Sequence, residues 1–332
     1  MILHLQTAWR ARRVLIIGGA DRASGFMQTL LEALGARPAR IPATADSEML
    51  CRAMQDGRIS VVIVPSAHAL APGEGLTAQL RMLLVLLGEA REAGIPLVML
   101  LSDENVYRMD AQPWLLSESC PLGGETAQGL AQSLLQLLAD GVSRGLLGDA
   151  VSTLIVRHMP CLGCGHPSVA QYSAWCRALM RDEIVDVLHP GAQGVFLHPA
   201  DVSIGALSLG AKYLSGDRRV TGAFNLGPGQ QSLVANRSAA LRFIREHGGK
   251  RPIREGESPS SLPLPVLDGA RARLLCGAHP CMPADDALSM LLRLEKASLG
   301  GFAQELAEIQ SQVQDILHGL LRGYADQKTD GR

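Results

Sequence analysis

Uncharged β-branched runs and leucine-rich helical stretches alternate along the first half of this chain. The runs RVLIIG (13–18), SVVIVP (60–65), PLVMLL (96–101) and STLIV (152–156) carry no charge after their first residue. Between them, residues 26–34, 47–54, 76–93 and 126–139 repeat apolar positions at helical spacing. Strands that read as continuous apolar runs are buried on both faces, and the intervening helices supply the cover. The pattern therefore predicts an α/β chain built on a doubly wound parallel sheet. GARPARIPA (35–43) is expected to add a strand after the first helix.

After about residue 157 the connections become rich in proline and glycine, and the periodic pieces shorten. Strands are expected at 184–188, 195–197 and 222–225, and helices at 170–181, 199–214 and 233–247. Residues 248–265 read as a loop. The segment 302–321 repeats apolar residues at near-heptad spacing and should pack on its own domain. This divides the chain into 1–157, a smaller domain over 158–322, and a disordered tail at 323–332. Two helices, LTAQLRMLLVLLGEA and TAQGLAQSLLQLLA, carry more leucine than a one-sided helix needs. Either a subunit interface or deep burial would cover their second side.

Composition narrows the partners. Apolar residues make up 47% and charged residues 19% of 332, as in an ordinary globular protein. A formal net charge of −1 and 4% aromatics remove the general case for nucleic acid as a partner. The apolar run within 76–87 is interrupted by Gln79 and Arg81 and is too short to span a membrane. Seven irregularly spaced cysteines point to reduced thiols and a cytoplasmic location.

Three motifs carry candidate chemistry. RVLIIGGADRASG (13–25) is a strand, a glycine turn and a helix start, the arrangement that brings a pyrophosphate to a helix N-terminus. Gly18 and Gly19 stand in place, Asp21 and Ser24 occupy later glycine positions, and Gly25 falls one residue late. CLGCGH offers Cys161, Cys164 and His166 to a metal, with Cys176 or the Cys276, His279 and Cys281 group to complete it. The second cluster lacks a zinc-like CxxC, so free thiols and no metal are expected. LSDENVYR (101–108) hangs Ser102, Asp103, Glu104 and Tyr107 from the end of a buried strand.

Together these pieces resemble the extended short-chain dehydrogenase/reductase family of NAD-dependent nucleotide-sugar epimerases and dehydratases. VLIIGGADRASGFMQTLLEAL, VVIVPSAHAL, IVRHMPCLGCG, VFLHPADVSIGALSLG and GAFNLGPGQQSLVANRSAALRFI carry the resemblance over nearly the whole chain. SDE at 102–104, PLGG at 121–124 and FNLGPG at 224–229 look closest to the CDP-glucose 4,6-dehydratase type. The resemblance implies a Rossmann-like domain and a smaller C-terminal substrate domain. It implies NAD or NADP held by Gly18, Gly19, Ser24, Gly25, Ser66, Ala67 and Met159. A nucleotide or nucleotide-sugar would meet Arg157, Pro160, Cys161, Gly163 and Gly165, and Ser102, Asp103 and Glu104 would be catalytic. A homodimer, or a heterodimer with a related protein, would form through helices 76–93 and 126–139. The family's Tyr-x-x-x-Lys pair, however, falls on Glu125 and Gly129. Weakened or lost catalysis is the expected consequence. The alternatives are an active 4,6-dehydratase or epimerase using Ser102, Asp103 and Glu104, or a non-catalytic partner subunit of an active paralogue.

Overall fold

A computed structural model describes residues 2–329 apart from 19–21, 43, 57, 66–74, 109–114, 147–150, 165–166, 248–251, 257–264 and 278–281. The chain opens with α1 (Ile2–Trp9), then β1 (Arg13–Ile17), α2 (Arg22–Ala33), β2 (Arg37–Ile41), α3 (Ser47–Asp56) and β3 (Val61–Val64). It continues with α4 (Leu76–Glu92), β4 (Leu97–Asp103), β5 (Leu115–Leu116), α5 (Ala127–Gly141) and β6 (Ser152–His158). The second half runs α6 (Ala170–Met180), β7 (Val185–Val187), β8 (Gln193–Val195), α7 (Pro199–Leu214), β9 (Gly222–Leu226), β10 (Leu233–Ala235) and α8 (Asn236–His247). It ends with β11 (Ile253–Glu255), β12 (Val266–Leu267), α9 (Ala270–Cys276), α10 (Ala284–Ser298) and α11 (Phe302–Thr329).

Six strands form one parallel sheet in the order β2-β1-β3-β4-β6-β9. Side chains alternate across a strand, so each strand feeds both covering layers. Val14, Ile16, Met99, Leu101, Leu154 and Val156 pack with α1, α2, α7 and α11. Leu15, Ile17, Val62, Val98, Leu100 and Ile155 pack with α3, α4 and α5. Both layers are closed, which is why β3 and β4 are buried at every position.

The first helix has no counterpart in the sequence reading. Its Leu5 and Trp9 are buried, and the Trp9 indole donates to the Leu207 carbonyl at 3.0 Å. That contact explains the small residues of α7, a helix rich in glycine, alanine and serine and buried on nearly its whole circumference. A Cβ at Gly210 would lie 2.8 Å from the Trp9 ring, and one at Gly205 would lie 2.8 Å from Leu226. A separate apolar cluster of α6, α8 and α10, centred on Trp175, Phe196 and Phe243, fills the second half. The helix expected over 233–247 begins instead with β10, which pairs antiparallel with β8 before α8 starts. In the segment expected to be a tail, α11 continues to Thr329.

The strand order reverses at β1, so a crevice opens beyond the carboxyl ends of β1 and β3. Open α/β sheets bind ligands at such a reversal.

Candidate functional site

The crevice is built from Gly18 after β1, Pro65 after β3, residues 102–104 at the end of β4, and residues 158–164 after β6. At Gly18 the turn is tight: an added Cβ would lie 2.6 Å from Ser24 Oγ and 3.6 Å from Pro65. Gly18, Ser24 and Pro65 therefore meet. Gly25 faces elsewhere, toward Ile309 of α11. Gly19, Ser66, Ala67, Gly165, His166, His279 and Cys281 lie outside the described residues. Among the described residues no group of three or more His, Cys, Asp or Glu is placed to hold a metal ion.

The loop after β6 closes over α2. Leu162 N–H donates to the Leu197 carbonyl at 2.8 Å, and Met159, Pro160 and Cys161 are buried. Gly163 has φ +73°, and a Cβ there would meet Leu291 at 2.9 Å and Arg22 at 3.0 Å. Arg22, the first residue of α2, is the clasp. It bonds Glu295 of α10 at 2.7 Å and Glu305 of α11 at 2.6 Å, and reaches the Gly163 carbonyl at 3.3 Å. Burial disfavours the Arg22 charge, and the two carboxylates more than offset this, so its pKa rises. Replacing Arg22 with methionine strands Glu295, whose other cation, Arg177, is 3.5 Å away. The expected loss is about 3 kcal/mol in urea unfolding, partly recovered by adding Glu295→Gln.

One of the three triplet residues parts from the other two. Ser102 points toward α5, where it donates to Gln132 Oε1 at 3.0 Å and accepts from Gln136 Nε2 at 2.7 Å. Asp103 and Glu104 stay at the crevice. Asp103 pairs in register with His158 and accepts from the Asn105 N–H at 3.0 Å. Glu104 is held protonated: burial first, and the Asp103 charge second, push its pKa up from 4.5 to about 8. Its Oε2 is buried with no hydrogen-bond partner. Contact with Cys164, then burial, push the Cys161 thiol up.

Arg157 joins Ser102 rather than Glu104. Its Nε donates to Gln136 Oε1 at 2.7 Å and its Nη1 to the Tyr107 hydroxyl at 2.6 Å. Tyr107 in turn donates to Asn225 Oδ1 at 2.8 Å, and Asn225 Nδ2 donates to the Leu116 carbonyl at 2.7 Å. Every member of this chain of contacts is at most 3% exposed. Sequence reasoning missed Gln132 and Gln136. Their signal was two amides four residues apart on an otherwise leucine-rich helix. The asparagine of FNLG is part of the same framework.

The two positions expected to hold tyrosine and lysine diverge. Glu125 is exposed. Gly129 accepts no side chain, because a Cβ there would collide with the Asn105 carbonyl oxygen and sit 3.2 Å from Thr126 Oγ1. Thr126 caps α5 by accepting from the Gly129 N–H at 2.9 Å, and Ser133 Oγ donates to the Val106 carbonyl at 2.8 Å. These bonds seat the first turn of α5 directly on the 105–106 backbone.

No protein-family model matches the sequence, and no curated protein matches it. Solved structures do match its fold. The UDP-Glc/GlcNAc 4-epimerase of Campylobacter jejuni superposes with a TM-score of 0.71 at 12% identity, covering 86% of this chain and 99% of its own. An epimerase from Methanothermobacter thermautotrophicus gives 0.70 at 15% identity, over 90% and 96%. The dTDP-glucose 4,6-dehydratase of Streptomyces venezuelae, solved with NAD bound, gives 0.64 at 17% identity, over 87% and 98%. The chain has the Rossmann-like fold of the nucleotide-sugar epimerases and dehydratases.

Proposed function

We propose that this protein binds a nicotinamide dinucleotide and a nucleotide-sugar across the carboxyl ends of β1, β3, β4 and β6, without the pair that drives hydride transfer. The tight approach at Gly18, with the N-terminus of α2 beside it, fits a dinucleotide pyrophosphate. Gly19, Ser66, Ala67 and Met159 would complete that cradle. At the end of β2 stands Arg40, where an acid would hold the ribose of NAD, and an arginine suits the 2′-phosphate of NADP. Pro160, Cys161, Gly163 and Gly165 would border the sugar-nucleotide, with the CDP-glucose type the nearest substrate class. The absence of room for a side chain at Gly129 carries the silent reading.

Calorimetry with NADP, NAD and a panel of nucleoside-diphosphate hexoses tests it. Saturable binding of a dinucleotide, reduced by Gly18→Val, is the expected result; no binding of either dinucleotide would sink the reading. One observation favours a second reading, an active dehydratase or epimerase. Glu104 is a protonated acid with an unpartnered oxygen at the crevice, the state a general acid needs. Formation of a 4-keto-sugar, lost in Glu104→Gln, would establish that reading instead.

Exposed leucines on α4 and α5 support a homodimer, or a pair with an active paralogue. Leu84, Leu130, Leu134 and Leu137 are all exposed there. Leu134→Glu with Leu137→Glu is expected to convert a dimer to a monomer in light scattering, with the fold retained. The six described cysteines form no disulfide, which suits a reducing cytoplasm, and no described helix is long and apolar enough to cross a membrane.

A further inference from the structure

A second opening lies on the α5 side of the sheet, away from Glu104. It is a cavity of about 370 Å³ between α5, the edge strand β9 and the start of α9. That volume is at the small end of the range for metabolite pockets. At its floor is Arg157, 3% exposed and permanently charged.

Among the described residues no carboxylate lies within ion-pair distance of Arg157. Its two bonds run to neutral acceptors, the Gln136 amide and the Tyr107 hydroxyl. Burial raises the Tyr107 pKa, so the phenol stays un-ionised and offers no negative charge. A buried cation without a bonded anion is costly, and among the described residues the guanidinium donates only through Nε and Nη1. The remaining charged groups around the cavity leave the imbalance in place. Arg144 and Asp140 neutralise each other at 2.7 Å. Glu118 is committed through Oε1 to the Asn225 N–H at 2.9 Å. Opposite it, Arg271 is fixed at the rim by the Phe224 ring at 4.1 Å and by the Ala223 carbonyl at 2.7 Å. Two arginines thus face one carboxylate.

We propose that this cavity binds a small metabolite through one oxyanion, a carboxylate or a phosphate, held by Arg157 and Arg271. Arginine forks match both groups bidentately. Glu118 would accept from a hydroxyl or amino group on the same molecule. The site is separate from the dinucleotide crevice and stands whether or not that crevice is filled.

Calorimetric titration of the full chain with inorganic phosphate and, separately, with lactate tests the proposal and distinguishes the two oxyanions. Saturable one-to-one binding of either probe is expected, unaffected by saturating NAD or NADP. Arg271→Ala should weaken it about tenfold, the loss of one charged hydrogen bond. Ala223→Leu, which fills the cavity, and Arg157→Met should abolish it. Should Arg157→Met fail to fold, the other two variants decide. Absence of saturable binding by both probes overturns the proposal. So does binding that Arg271→Ala and Ala223→Leu leave unchanged, or binding that the dinucleotides compete away.

Discussion

Glu104→Gln is expected to raise the stability of this protein at pH 8 and above by several kcal/mol, with little effect near pH 4. The carboxyl is protonated in the fold up to about 8 against an ordinary value of 4.5. Between those values the folded chain holds a proton that the unfolded chain has released, so stability falls as pH rises through the window. The contribution is fully present below pH 4.5 and lost above 8, with an amplitude of about 5 kcal/mol. Glutamine keeps the shape and cannot ionise, so the alkaline decline disappears. His198 sets the opposite limb. Burial holds its pKa at about 4, against 6.5, while its Nε2 contacts Gln312 Oε1 at 2.9 Å. There the unfolded chain binds the proton first, so stability falls as pH drops below 6.5, in both wild type and variant. Urea unfolding across the range should therefore show a dome for wild type and a single acid limb for Glu104→Gln. Parallel curves for the two proteins would mean that Glu104 is not the buried acid.

Gly129→Ala is the second large effect, and Gly129→Lys should be worse. The Cβ of either residue collides with the Asn105 carbonyl oxygen. That oxygen has little room to retreat: the Asn105 N–H is bound by Asp103 and the next carbonyl is bound by Ser133. Overpacking between two pieces of backbone costs about 3 kcal/mol, the upper end of the usual range. Glu125→Tyr, on the exposed side of the same helix start, should change stability by less than about 0.5 kcal/mol. Restoring the pair by two substitutions thus separates into one neutral change and one that the fold resists. A Gly129→Lys protein as stable as wild type in urea would show that α5 does not rest on the 105–106 turn.

The parallel sheet was legible because β1, β3, β4 and β6 each carry an uncharged apolar run (14–17, 61–64, 97–101 and 152–156) buried on both faces, a pattern that few other arrangements tolerate. The eight residues of α1 were not legible: a helix that short leaves almost no period, and its place is set by Trp9 docking on α7. The ends of the strands read as the place for chemistry, but one-dimensional reading could not separate their two faces. Ser102 and Arg157 stand opposite each other in register, and both turn to the glutamines of α5. Asp103 and Glu104, one and two residues on, remain at the crevice. Gly129 reads in sequence as a missing lysine. In the fold it is a close approach of two backbones, visible only once Asn105 is brought against α5 from 24 positions away.

The most direct test of the central claim is a single-turnover experiment. The protein is saturated with NAD or NADP, mixed with a nucleoside-diphosphate hexose, and followed for the near-ultraviolet absorbance of reduced nicotinamide and for 4-keto-sugar. Bound dinucleotide with neither signal is the predicted result. Reduced nicotinamide approaching one equivalent per chain would contradict the account.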